Sequence, residues 1–171
     1  MIVTPQSLAR QFCNGTYVNT TDASLWRDTF TYLASVDDDS IFVKEKIQSL
    51  WLIYGGDLRA KIKDDTLIIQ VLRKALPGHS GDGTTLYRGE SWFLFDQDKI
   101  GFSWTVSEEL ATTYAKGLNA VESGGVLLKC YAPAEAILAA PEPGQPSTGN
   151  VYICDPGKLL RLTTQGLFPK L

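Results

Sequence analysis

Apolar residues are spaced in two different ways along the chain, and the spacing changes near residue 78. Before that point they recur every three or four positions, as Trp26, Phe30 and Leu33 do, which is the spacing of one buried helix face. After it, short apolar runs are separated by glycine and proline, the pattern of strands joined by turns. The sequence therefore predicts an α+β protein, with an N-terminal helical lobe followed by a mixed or antiparallel β core.

Start and stop residues predict four helices in the first half. Proline suits a first helical position, while threonine and aspartate cap helix N-termini. Asparagine–glycine and glycine–glycine pairs are typical helix ends, and a proline closes the last of the four. On these signals the predicted helices run from Pro5 to Asn14, from residue 22 to 36, from residue 37 to 56 and from residue 64 to 77.

The second half predicts six short strands and one long helix. The strands are expected at residues 86–88, 102–106, 126–131, 137–139, 151–154 and 159–164, and the helix from Ser107 to Ala115. A period of two in the second strand places Ser103 and Thr105 on one face and turns Trp104 and Val106 into the core.

The glycine-rich stretch 78–83 separates the two patterns. We interpret it as a seam within a single domain over residues 1–171, because about 80 residues on either side would make a marginal core alone. The domain then has a helical lobe over 1–77 and a β core over 84–171.

Composition and charge limit the class of protein. The formal net charge is -3, from 16 basic and 19 acidic residues, which argues against a general nucleic-acid binder. No apolar stretch approaches the about 20 residues of a membrane span, and no signal segment is visible. Cys13, Cys130 and Cys154 have no paired spacing, and one histidine makes a metal site unexpected. These features predict a cytoplasmic protein without a bound metal or membrane partner.

Candidate chemistry concentrates between residues 84 and 117. Arg88 ends a β-prone run and can bind a phosphate or carboxylate with two parallel hydrogen bonds. Gly89 allows close approach to the backbone, and the hydroxyls of Ser103 and Thr105 add a polar surface. The helix that starts after Ser107 offers free N–H groups to an anion. The alternative interpretation is an ordinary half-exposed strand followed by an ordinary N-cap, since such local patterns recur by chance.

The order of these motifs resembles the mono-ADP-ribosyltransferase fold of the arginine–serine–glutamate type, in particular its small bacterial and phage-associated members. The resemblance covers about half of the chain, and the helical lobe carries no motif. It rests on Tyr87-Arg88-Gly89, Ser103-Trp104-Thr105, Thr113-Tyr114-Ala115, residues 125–128, residues 136–139 and Ile153-Cys154-Asp155-Pro156.

The resemblance implies a transferase of the glycosyltransferase class that uses NAD and modifies a protein target. Such a protein would be a phage or bacterial effector acting in the cytoplasm of a bacterial host cell. Arg88 would bind the phosphates of NAD with Gly89 beside it, while Ser103, Trp104 and Thr105 would shape the nicotinamide pocket. Tyr114 is the residue expected to stack on the nicotinamide, with Trp92 as a weaker alternative.

One expected residue is missing. The glutamate that the family places at the start of the strand before the isoleucine–x–aspartate–proline segment corresponds to Val151, which cannot act as a carboxylate. Glu142 in the preceding loop is the expected replacement, so Arg88, Ser103 and Glu142 form the predicted catalytic set. Glu90 and Glu108 are other possible substitutes.

Loss of the glutamate leaves a second function open. The cleft or the helical lobe then binds a protein partner or a nucleotide without catalysing a reaction. A third interpretation is an unrelated α+β binding module in which the motif order is accidental, because fold does not dictate function.

Overall fold

The structure, a computed structural model, describes residues 2–145 and 149–171. The chain divides into two compact units, Met1–Gly78 and His79–Leu171, at the point where the spacing of apolar residues changes. The first unit is helical, and the second contains a six-stranded antiparallel sheet. The predicted α+β class is therefore confirmed.

The helical unit contains the four predicted helices. Side chains of Thr4, Asp22 and Asp64 accept hydrogen bonds from backbone N–H groups at the start of three of them, as N-caps do. In the described part of the chain, no helix combines the length and apolar character that crossing a bilayer requires. The four helices are α1 (Pro5–Cys13), α2 (Ala23–Ser35), α3 (Lys44–Ile62) and α4 (Asp65–Ala75).

The predicted stripe on α2 forms the centre of this unit. Trp26, Phe30 and Leu33 are fully buried, and Phe12 of α1 meets the rings of Trp26 and Phe30 edge to face. By contrast, Ile53 of α3 is an apolar residue that is 73% exposed. The spacing of apolar residues therefore identified the buried face of α2, but apolar character alone does not show that a residue is buried.

Both predicted ends of α3 are wrong, because the helix begins at Lys44, after a short 3₁₀ helix over Asp39–Ile41, and continues past Gly55-Gly56 to Ile62. A Cβ atom at position 55 would lie 2.8 Å from Cε2 of Trp51, so this glycine makes room for the indole ring instead of ending the helix. The helix ends at Lys63, which has a left-handed backbone with φ of 55°.

The second unit contains all six predicted strands, of which three are longer than expected. Its elements are β1 (Thr84–Ser91), α5 (Trp92–Asp96), β2 (Ser103–Thr105), α6 (Glu108–Lys116), β3 (Gly125–Ala132), β4 (Ile137–Ala139), β5 (Val151–Cys154) and β6 (Leu160–Phe168). The sheet order is β4-β5-β2-β1-β3-β6, and every neighbouring pair is antiparallel.

The buried cluster of this unit takes residues from β1 to β5 and none from β6. Leu86, Trp104 and Leu128 belong to the buried cluster on the packed face. By contrast, β6 forms an edge of the sheet, pairs with β3, and has no buried residue among its nine. The core of this unit therefore lies under β1 to β5 and not under β6.

The predicted burial of Val106 is wrong, since this side chain is 50% exposed. The strand ends one residue earlier, where the Oγ1 of Thr105 accepts a hydrogen bond from the backbone N–H of Ser107 at 3.1 Å. That bond turns the chain into α6, so the strand alternation no longer applies at Val106.

Candidate functional site

The sheet opens between β1 and β2. Along β1, every residue from Thr84 to Ser91 has a partner in β3, whereas the register with β2 contains one pair, Tyr87 opposite Thr105. Beyond that pair, residues 88–91 keep their partners in β3 and have none in β2, and we call this stretch the opening. Arg88 is its first residue.

Arg88 bridges the two diverging strands. Its Nε donates to Oε2 of Glu90 at 2.7 Å, and its Nη1 donates to the backbone carbonyl of Ser103 at 2.8 Å. Nη2 takes part in neither bond, and the side chain is 20% exposed. The predicted proximity of Arg88 and Ser103 is thus a direct contact in the structure.

Glu90 holds the other end of this arrangement. It is 1% exposed. Its Oε1 accepts from the backbone N–H of Ser91 at 2.9 Å, and its Oε2 accepts from that of Gly101 at 2.9 Å as well as from Arg88. All of these acceptors serve donors of the protein itself, so Glu90 is a poor substitute for a catalytic carboxylate.

Gly101 belongs to this arrangement, which the sequence did not reveal. A Cβ atom there would overlap the guanidinium of Arg88. Its backbone N–H donates to Glu90, and its carbonyl accepts from Nε1 of Trp104 at 3.1 Å. The absence of a side chain at this position therefore fixes where the guanidinium of Arg88 lies.

The serine–aromatic–threonine strand has one side chain in the core. Trp104 is 1% exposed, and Thr105 is 6% exposed with its hydroxyl bonded to Ser107. Ser103 is half-buried and lies beside Arg88. Of the three, Ser103 is the residue that the structure brings to the opening, and the nicotinamide roles of Trp104 and Thr105 stay predictions.

Gly89 lies under α6. A Cβ atom there would overlap backbone atoms of Ala111 and Ala115, and the carbonyl of Gly89 accepts from Nδ2 of Asn119 at 2.8 Å. The close approach that this glycine permits is therefore that of a helix to the sheet. Contact of Gly89 with NAD stays a prediction.

The remaining predicted residues lie on neighbouring elements. Val151 begins β5 directly opposite Thr105, in a row with Tyr87. Glu142 is half-buried in the loop between β4 and β5. Trp92 begins α5 and is 39% exposed, Tyr114 lies on α6 and is 49% exposed, and Glu108 is exposed in the first turn of α6.

The cysteines do not suit a nucleophilic or metal-binding role. Burial raises the pKa of the Cys13 thiol to about 11 and that of Cys130 to about 12, so both stay protonated at neutral pH. Burial also raises the pKa of Cys154. Among the described residues, no group of three histidine, cysteine, aspartate or glutamate side chains is placed to hold a metal ion.

Comparison of the chain with protein-family models, with curated proteins and with solved structures finds no match.

Proposed function

We propose that the chain binds NAD at the opening between β1 and β2 and transfers its ADP-ribose group to a protein. The observation that carries the proposal is the position of Arg88, whose guanidinium bridges to Ser103 where the two strands part. The order of the sequence motifs supports the same function.

Arg88 is suited to bind the diphosphate of NAD. Its Nη2 lies outside the bonds to Glu90 and Ser103, and a guanidinium has five N–H donors in a planar fork. The bond to Glu90 fixes that fork in advance, so less rotamer freedom is lost when a phosphate binds. The contact of Arg88 with Ser103 is made through the Ser103 backbone carbonyl, so the guanidinium is also anchored to the strand that is proposed to shape the nicotinamide pocket.

Transfer requires a carboxylate near the ribose. Cleavage of the glycosidic bond of NAD passes through an oxocarbenium-like state, whose positive charge a carboxylate stabilises. Glu142 is the proposed carboxylate, because its loop leads into β5, whose first residue pairs with Thr105 of β2. Glu108 in α6 is the alternative.

A second function is favoured by Val151. This residue places an apolar side chain in register with Thr105, where the resemblance implies a glutamate. A cleft of that composition binds NAD, or a partner protein, without transferring ADP-ribose.

The test uses NAD with a label on its adenylate group and a bacterial lysate as the source of protein targets. Free nicotinamide and label on protein are both measured, for the wild type, for Arg88→Ala and for Glu142→Gln. Arg10→Ala, an exposed arginine of the helical unit, is the matched control. Transfer that is lost in Arg88→Ala and Glu142→Gln but kept in Arg10→Ala supports the proposal. NAD binding by calorimetry without turnover supports the second function, and absence of both refutes the NAD site.

A further variant tests the placement of β5. If the cleft is a decayed active site, Val151→Glu restores a carboxylate in register with Thr105 and raises NAD hydrolysis above the wild-type rate. An unchanged rate, in a variant that folds and still binds NAD, contradicts the assignment of Val151 as the glutamate position.

A further inference from the structure

The sheet carries a group of tyrosines and cations of which only Tyr87 has entered the arguments above. Tyr87 of β1 lies opposite Lys129 of β3, and Thr85 of β1 lies opposite Tyr131 of β3. Residues directly opposite each other in an antiparallel pair share a face, and so do residues two apart on one strand. Tyr87, Tyr131 and Lys129 therefore lie on one face, which also carries Thr163 of β6 opposite Lys129.

Two cations lie over these rings. Nζ of Lys129 is 5.9 Å from the centroid of the Tyr87 ring, and Cζ of Arg161 is 5.6 Å from that of Tyr131. The cross-strand register and the ring contacts thus agree that the four side chains form one cluster. We call it the tyrosine–cation face.

The position of Arg161 depends on a bulge in β6. Lys129 and Tyr131 of β3 are two residues apart, whereas their partners in β6, Thr163 and Leu160, are three residues apart. Over this stretch β6 therefore holds one extra residue. Arg161 has φ of 53°, a left-handed conformation that is unfavourable for arginine. Bulges of this kind redirect a side chain, and here the guanidinium comes to lie over Tyr131.

The tyrosine–cation face carries no carboxylate from its three strands. The one acid of β1, Glu90, is buried and alternates onto the opposite face, and neither β3 nor β6 contains an acidic residue. Two positive charges therefore lie together on a chain whose formal net charge is -3. The face is accessible, since Arg161 and Thr163 are exposed and the tyrosines are half-buried.

We propose that the tyrosine–cation face binds single-stranded nucleic acid. This face is covered by α6 at Gly89, while Tyr87 and Tyr131 are half-buried. Accessible aromatic rings on a sheet stack with unpaired bases, and neighbouring lysine and arginine side chains bind the phosphates between those bases. An acidic peptide satisfies the two cations but makes no use of the paired rings, so the nucleic acid fits the cluster better. The proposal does not depend on NAD binding, because it involves neither Arg88 nor Ser103.

The test is fluorescence anisotropy of a labelled oligothymidine of about 12 nucleotides at low salt, about 50 mM. Two cations predict a slope of about -1.4 for the logarithm of the binding constant against the logarithm of the salt concentration. In Lys129→Ala/Arg161→Ala binding should be lost at this salt concentration, while Lys129→Arg should retain both the binding and the slope. Tyr87→Leu and Tyr131→Leu should each weaken binding about tenfold.

The control is Arg10→Ala/Lys170→Ala, which removes the same charge from two exposed positions and should bind as the wild type does. Thermal melting of every variant identifies those that fail to fold, and in that case Lys129→Gln alone replaces the double variant. The proposal is overturned if the wild type does not bind the oligonucleotide, or if the cation variants bind equally well. Equal competition by poly-glutamate also overturns it, since the face is then a general polyanion site.

Discussion

The buried carboxylate of Glu90 allows a sharp test of how the opening between β1 and β2 is held. Replacing it by alanine removes the acceptor for three donors, namely Nε of Arg88 and the backbone N–H groups of Ser91 and Gly101. At 1% exposure, Glu90 leaves a space that water fills poorly. We therefore expect Glu90→Ala to be among the most destabilising single changes in this unit.

The expected loss of stability in Glu90→Ala follows from the buried groups that lose their acceptor. Breaking a buried ion pair by removing one member costs about 3–5 kcal/mol. Because the side chain of Arg88 is 20% exposed, water reaches part of the guanidinium, and we expect about 2–4 kcal/mol. Glu90→Gln keeps the size of the side chain but turns an amide N–H₂ group toward at least one of the three donors. This change should lower the free energy of unfolding by about 1–3 kcal/mol. Arg88→Met/Glu90→Leu removes both charges and should recover the part of the loss that comes from the unpaired guanidinium, but not the part from the backbone N–H groups of Ser91 and Gly101.

The assay is denaturant unfolding together with hydrogen exchange at the amides of Ser91 and Gly101, which reports on this unit alone. Exchange at both amides should accelerate in Glu90→Ala. Glu122→Ala, an exposed glutamate of the same unit, should change stability by less than about 0.5 kcal/mol. Unchanged exchange at Gly101 in a folded Glu90→Ala protein would show that the carboxylate does not hold this loop.

Three further predictions concern packing and protonation. Gly89→Ala should lower the free energy of unfolding by about 3 kcal/mol or more, because the added Cβ overlaps the backbone of α6. Gly56→Ala adds a Cβ that meets no atom within 4 Å, so it should raise the free energy of unfolding by about 0.5–1 kcal/mol. The urea midpoints of the two variants test both expectations. Since burial raises the pKa of Cys13 to about 11 and of Cys130 to about 12 from 9.0, the unfolded thiols lose protons first, and stability should fall as the pH rises from 9 toward 11. Urea unfolding below and above pH 9 measures that fall, which should shrink when either cysteine is replaced by alanine. Lys74→Met removes two hydrogen bonds to backbone carbonyls at the end of α2, at 2.9 and 2.7 Å, and should cost about 1–3 kcal/mol in thermal unfolding.

Local signals in the sequence were sufficient for most of the fold. Apolar spacing and capping residues located α1, α2 and α4, because a helix start needs a side-chain acceptor such as Asp22 or Asp64 and its core face needs a fixed period. These signals failed where the packing of a neighbouring side chain, and not composition, explains a residue. Gly55 has the composition of a helix end, but the ring of Trp51 occupies the space beside it.

The candidate site was predictable only in part. The motif order brought Arg88 and Ser103 together correctly, and the pairing of Arg88 with Glu90 was available from their two-residue separation on a strand. The packing of α6 on Gly89 depends on a contact between elements far apart in sequence. The tyrosine–cation face depends in the same way on the register of β1, β3 and β6, which composition cannot show.

The last strand has a practical consequence. Because β6 attaches to the sheet through β3 and fully buries none of its nine residues, we expect the rest of the unit to keep its core without it. A chain that ends before Leu160 should bind a synthetic peptide of residues 160–168 along the free edge of β3. The chain and the peptide would then form a reporter that assembles from two separate parts.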